Sequence, residues 1–416
     1  MGTLLMTDRP LPSLFELTPL NPDYRENPQS LLDDLRTRCP AHRDAMSGSL
    51  LLSRYEDVRG VVNDRAMWRD PLLAEEGAIL QRGLIAGVDR SLPRTSTTSI
   101  LMLDDPDHAR IRQPLSQALY ARVARCRAQV EQIVDATLDG LPRDEPFDLM
   151  DRFCVPIPID VIATLLGVDP DRLGEFRTWS EGIIQSLNPF RTPQQTTAME
   201  LASVALNDYF TETLAARRIE PRDDLITDMV KLQAEGAVLS EAELRINLSA
   251  LLVAGNLTTT DLIGNGVRLL IQNPAELAKL QADPRIVNSV VEEVLRFEPP
   301  VEITGRIASR EMEIGGCPMK PGQAMSVLLR AANRDPAAYP DADQFDVSRK
   351  HKSHVSFGGG AHICIGAPLA RLEAQVALVK LFARFPNLRL ADPDAPPVWR
   401  TLPFFRGLER LDVIGG

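Results

Sequence analysis

The chain has 416 residues, 44% of them hydrophobic and 25% charged, with a formal net charge of -11. That balance suits a globular protein with a sizeable core and excludes a general nucleic-acid binder, whose surface carries a basic excess. Cysteines at 39, 126, 154, 317 and 364 lack paired spacing and point to a reducing cytoplasm; no basic leader opens the chain, and no run of about 18 apolar residues is present to span a bilayer.

No Gly/Ser-rich linker, charge block or repeat divides the sequence, so residues 1–416 read as one domain. Apolar residues at three- and four-residue spacing predict helices over 28–38 and 54–64, with a short strand at 50–52 between them. The same spacing predicts a helix over 107–139. There His108 and Arg112 stand at i and i+4, on one face, just after Pro106. Further helices are predicted over 157–168, 171–187, 197–217 and 222–234.

The segment 240–272 opens with Ser240 and Glu243 as a capping box and runs to Asn273-Pro274, long enough for a helix of about 50 Å. Its middle, 246–260, carries no formal charge and includes Ala254-Gly255-Asn256-Leu257-Thr258-Thr259-Thr260. Small residues at 254 and 255 let another body approach closely, with a hydroxyl near the same face. Helices over 276–282 and 284–297 follow, the second placing Glu293 and Arg296 three apart on one face before Pro299-Pro300 ends it. Strands are predicted at 303–307, 312–314 and 324–329, with Cys317 in a turn, then a helix over 367–384 and strands at 388–390 and 411–414. This mixture predicts a mainly α protein with small peripheral β-sheets.

The most specific signal is Phe357-Gly-Gly-Gly-Ala-His362-Ile-Cys364-Ile-Gly366, followed by Ala367-Pro368-Leu369. Glycines let the backbone fold around one sulfur, Pro368 suits a helical first turn, and the helix's free N–H groups favour a thiolate. The competing readings are a buried inert thiol, a zinc site from His354, His362 and Cys364 that lacks a fourth ligand, and an iron-sulfur cluster, which needs about four thiolates.

The run resembles the haem-ligating loop of the cytochrome P-450 family, Phe-x-x-Gly-x-(His/Arg)-x-Cys-x-Gly, at every fixed position. Ala254, Gly255, Thr258 and Thr259 are similar to that family's oxygen-binding motif, with Leu257 at the usual acidic position. Glu293-x-x-Arg296 with Arg349 resembles its Glu-x-x-Arg element and later arginine. Ser53-Arg-Tyr-Glu-Asp-Val58, Ala332-Asn-Arg-Asp-Pro336 and Phe405-Arg-Gly-Leu408 look like further landmarks in the expected order.

The resemblance implies a cytochrome P-450 fold with a long central helix crossing one large domain. It implies haem b with Cys364 as axial ligand, and O2 as co-substrate. His108, Arg112, Arg306 and His362 would hold the propionates, with Phe357 and Gly255 beside the cofactor. Thr258, helped by Asn256 and Thr259, would manage protons at the oxygen site, while Glu293, Arg296 and Arg349 would support the cysteine loop. Substrate contacts by analogy are Leu84, Ile184, Ala250, Leu251, Ile303 and Phe404, suited to an apolar small molecule, and Arg82, Arg94 and Arg177 are candidate partners for an acidic group.

The chain ends too soon after Cys364 for a reductase domain. The expected electron source is a ferredoxin or flavodoxin with an NAD(P)H-dependent reductase, docking on Arg110, Lys350, Lys352 and Arg371, and neither nucleic acid nor membrane is expected as a partner. The alternatives are a peroxide-using or rearranging haem-thiolate enzyme, favoured by Leu257, and a non-catalytic haem-binding sensor or zinc-stabilised scaffold.

Overall fold

The computed structural model describes residues 10–79, 92–236, 239–350 and 353–415. Its centre is the helix Glu241–Gln272, whose 32 residues span about 48 Å. Ser240 accepts the Glu243 N–H and the Glu243 side chain accepts the Ser240 N–H, so the sequence-encoded capping box sets its start. Its length and composition would also suit a membrane span, but 61% of the apolar window is buried inside the protein, as befits a core helix.

Around this axis pack the helices Pro156–Leu166, Leu173–Ile183, Pro193–Ile219 and Ala367–Arg384. Gly255 and Gly266 permit two of these contacts. A Cβ at Gly255 would lie 3.3 Å from Ile162, and one at Gly266 would lie 3.4 Å from Leu378.

The predicted helix over 107–139 is two helices, Asp107–Val123 and Arg127–Asp139. No Gly or Pro marks the break at residues 124–126; the two halves pack on different partners, the first on Leu225–Ala234 and the second on Ala367–Arg384. The predicted segments 171–187 and 284–297 each combine an α-helix with a 3-10 turn, Ile184–Leu187 after the first and Pro284–Ile286 before the second.

The sheets are small and peripheral. In the largest, strands run in the order Ala41–Arg43, Leu50–Leu52, Ala324–Leu328, Ile303–Ile307, with only the central pair parallel. A bridge between Trp68 and Ile307 extends it. Phe147–Asp148, Asp412–Ile414 and Arg389–Leu390 form a second sheet, and two hairpins complete the set. Cys317 is not a turn residue. It begins the strand Cys317–Met319, opposite Ile314, and the turn is Gly315-Gly316 at φ of 58 and 82.

Asp261 on the central helix is fully buried against Gly407, where a Cβ would sit 1.9 Å from its Oδ1. Arg400 donates to both its oxygens at 2.9 and 3.1 Å. Burial nevertheless outweighs the guanidinium and holds the carboxyl up at about 6. The folded chain keeps this proton to about pH 6, whereas the unfolded chain releases it near 3.8, so the group's contribution to stability is largest below pH 4 and is lost as pH rises to 6. Asp261→Asn is expected to remove that decline, on the order of 3 kcal/mol, from urea-unfolding free energies measured across this window. Parallel pH profiles for variant and parent would contradict it.

Candidate active site

The cysteine loop is fixed from two sides. Gly358 and Gly360 adopt φ of 68 and 62, backbone that L side chains rarely take. Gly359 and Gly360 also lie against the end of the helix Tyr55–Asn63, where a Cβ would come within 2.6 Å of Asn63 Oδ1 and 2.8 Å of the Val62 carbonyl. The Cys364 N–H donates to the Phe357 carbonyl at 2.9 Å and closes the loop. Arg371 lies 4.5 Å from the Phe357 ring and pairs bidentately with Glu292, which His354 also contacts at 3.1 Å.

Cys364 is exposed to solvent at the head of the helix Ala367–Arg384, with the Gly366 and Ala367 N–H groups directed at its sulfur. The sequence anticipated an environment that favours the thiolate, and those amides with Arg112 and Arg371 do pull that way. Although one side of the residue is open, the protein packed around the sulfur desolvates it and pushes harder, and the thiol lies above its ordinary value.

Two residues before the cysteine, His362 stacks on His108 with ring centroids 4.1 Å apart. Arg112, one turn after His108, donates to the Ile363 carbonyl. Arg306 is 2% exposed and donates to its neighbour's Gly305 carbonyl at 2.8 Å. Thus the four predicted cationic residues come together from a helix, a strand and a loop.

Asp104 joins them, 3.8 Å from His362 and accepting the Arg69 and Asp70 N–H groups. Nothing in the pattern singled it out. Burial lowers His362 to about 4 and also lowers His108, helped by neighbouring cations, so both imidazoles are neutral at pH 7. His108 Nε2 is buried with no hydrogen-bond partner, and burial beside Arg69 holds Arg306 well below the usual guanidinium value.

On the central helix, Ala254 is exposed and Ala250, Leu257 and Thr258 are half-buried amid a buried helix, so this face opens to solvent. The Thr258 hydroxyl donates to the Ala254 carbonyl at 2.9 Å, leaving its oxygen as an acceptor. Asn256 does not join it. It is 5% exposed and lies about 200° round the axis from Thr258. Thr259 is 2% exposed in the core and does not belong to this open face, while Gly255 is half-buried like Leu257 and Thr258 and packs near Ile162 of a neighbouring helix.

The predicted substrate contacts divide in the same way. Ile184, Leu251 and Ile303 are core residues, at 6, 7 and 6% exposure. Phe404 is half-buried at φ 70, a strained backbone for an aromatic residue, with its ring near Phe190. Leu84 and Arg82 lie outside the described residues. Arg94 is paired with Asp70, and Arg177 with Asp151 and Glu181.

Behind the loop, Glu293 and Arg296 form a bidentate pair at 2.8 and 2.7 Å with neither side chain exposed, and Arg349 reaches Glu293 at 3.3 Å. Arg296 also donates to the Asn333, Ala342 and Gln344 carbonyls. The Asn333 side chain in turn accepts the Val355 N–H and donates to Ser356, whose hydroxyl donates to the Leu295 carbonyl. Asn333 and Ser356 thus connect the pair to the start of the cysteine loop, a role invisible in the local pattern.

With this geometry in place, comparisons with known proteins are decisive. The cytochrome P450 family model matches residues 183–398. Cytochrome P450 107B1 of Saccharopolyspora erythraea is 39% identical, covering 88% of this chain and 89% of that protein. The 6-deoxyerythronolide B hydroxylase of the same organism is 37% identical, covering 87% and 89%. The ligand-free Mycobacterium smegmatis CYP164A2 structure superposes with a TM-score of 0.86 at 33% identity, covering 96% and 98%. This chain belongs to the cytochrome P450 family, and its fold is the cytochrome P450 fold. Members of the family are oxidoreductases that hold haem through a cysteine thiolate and use O2.

The residues present fit such a group. Cys364 stands near Arg306, buried with no ion-pair partner among the described residues, and near His108, whose buried Nε2 has no hydrogen-bond partner, donors that fit the carboxylates of a haem. The zinc alternative fails on geometry: His354 is committed to Glu292 and His362 to Asp104, and no cluster of three or more metal-binding side chains occurs among the described residues. Glu293→Gln is expected to cost about 3 to 5 kcal/mol in urea unfolding, because it leaves the Arg296 charge buried without a counter-charge. An unchanged midpoint would show that the pair does not carry the loop.

Proposed function

We propose that this chain is a haem-thiolate monooxygenase with Cys364 as the axial ligand, hydroxylating or epoxidising a mainly apolar small molecule. The observation that carries the reading is the exposed Cys364 at a helix N-terminus, two residues from His362, which gathers with His108, Arg112 and Arg306. When bound, the haem supplies reductive activation of O2 and transfer of one oxygen atom.

The chain's own residues do the rest. His108, Arg112, Arg306 and His362 receive the propionates, while Gly366 and Ala367 hold the sulfur by their N–H groups. The face of Ala250, Ala254 and Thr258 with Phe404 accepts the substrate. Thr258 presents an acceptor oxygen that binds and orients a water for proton delivery, the task the absent acid at 257 would otherwise serve. The hydroxylase name of one relative supports this reaction type. Five free cysteines suit a reducing, cytoplasmic setting.

Electrons come from a separate acidic donor, a ferredoxin or flavodoxin. The expected docking set changes, because Arg110 is engaged with Asp107 and Glu243, Arg371 with Glu292, and Lys352 lies outside the described residues. Lys350 remains exposed. Arg59 and Arg65 join it as exposed cations on or next to the helix that abuts the glycines of the cysteine loop.

Cys364→Ala is expected to abolish the red-shifted Soret band of the ferrous carbon monoxide complex together with oxygenase activity, and persistence of that band would remove the assignment. Thr258→Ala is expected to raise peroxide released per NAD(P)H consumed and to lower product yield, with Leu257→Glu altering coupling only modestly. Full coupling in Thr258→Ala would shift proton delivery to the substrate.

A further inference from the structure

Arg69 has no role in the sequence motifs, yet the structure sets it beside Arg306. Trp68 and Ile307 exchange both backbone hydrogen bonds in an antiparallel bridge, at 2.9 and 2.8 Å. The next pair in that register is Arg69 opposite Arg306, a non-hydrogen-bonded position where side chains of one face approach most closely. Like charges directly opposite one another are destabilising.

Here the cost is larger, because Arg306 is buried and Arg69 is half-buried with its Nε shut off from solvent. Arg69 Nε is buried without a hydrogen-bond partner, and neither guanidinium has an ion-pair partner within 4.0 Å among the described residues. Burial lowers Arg69 to about 10 and also holds Arg306 well below the usual guanidinium value, with Arg69 itself among the causes. The one nearby carboxylate, Asp104, is already bonded to the Arg69 and Asp70 backbone N–H groups and to His362. A buried and a half-buried cation sharing one occupied carboxylate form a site that is short of negative charge.

We propose that Arg69 is an additional propionate-binding residue, pairing with Arg306 to clamp one carboxylate of the haem while Asp104 fixes the Arg69 backbone and His362. The inference rests on the haem-thiolate reading above. On that reading a haem carboxylate held by both guanidiniums would relieve the cross-strand repulsion, so the contact that holds the haem would also stabilise the bridge between Trp68 and Ile307.

The test is haem transfer from the holoenzyme to excess apomyoglobin, for parent and Arg69→Gln, each reconstituted with haem and with haem dimethyl ester. Arg69→Gln is expected to lose haem about ten- to a hundredfold faster, the loss of one charge-assisted hydrogen-bonded contact. With the ester, whose carboxylates carry no charge, variant and parent are expected to lose cofactor at equal rates. Arg69→Lys, which keeps the charge without the fork, is expected to fall between, and it carries the comparison if Arg69→Gln does not fold. Equal loss of haem from parent and variant would overturn the proposal, as would the same acceleration with haem and ester, which marks a purely structural role. Retention of the red-shifted carbon monoxide band in the variant separates failure of this inference from failure of the Cys364 assignment.

Discussion

A guanidinium with no access to solvent must find acceptors for its N–H groups inside the protein, and Arg296 meets that demand by gathering otherwise separate segments. Glu293 takes two bonds, and carbonyls at 333, 342 and 344 take the others. Because Asn333 then binds residues 355 and 356, the position of one charge propagates to the entrance of the cysteine loop. Buried ion pairs are weak sources of net stability, since desolvation cancels much of the attraction. What this one provides is location: any other arrangement of these segments leaves a charge or a carbonyl unsatisfied.

The cation cluster follows the opposite logic. Glu298 illustrates a balanced case, buried with Arg330, Arg406 and Arg268 around it and held well below the ordinary carboxylate range. At the cysteine loop the balance is missing. Arg306, His108 and His362 are drawn together with Asp104 and Asp105 as the nearby carboxylates, and burial suppresses the charge of each base. On the proposed reading, a cofactor bearing its own carboxylates would resolve this imbalance.

The central helix links the two regions. Its apolar and small residues let four helices pack close, and one strip around Ala254 and Thr258 stays open. Leu257, Phe357, Ile365 and Ala370 border the same apolar core, so the open strip and the cysteine loop are seated on one packed body. Dense packing of this kind resists small displacements, and a site built across it keeps its geometry.

The sequence alone determined the features that depend on local chemistry. The capping box at Ser240, the full extents of the helices Pro28–Arg38 and Ala367–Arg384, the strands Leu50–Leu52 and Ile303–Ile307, and the placing of Cys364 at the head of a helix are all readable from neighbours a few residues away. It also pointed to His108, Arg112, Arg306 and His362 as a set, through likeness to a known family. Tertiary structure decided what depends on distant partners. The break at 124–126 carries no breaker residue and arises because two halves of one pattern pack on different helices. Asn256 and Thr259 are polar and close to Thr258 in sequence, yet helical rotation turns them into the core. Asp104, Asn333 and Arg69 matter only through residues far along the chain, and no local pattern encodes a contact that forms when a bridge or a buried charge brings such segments together.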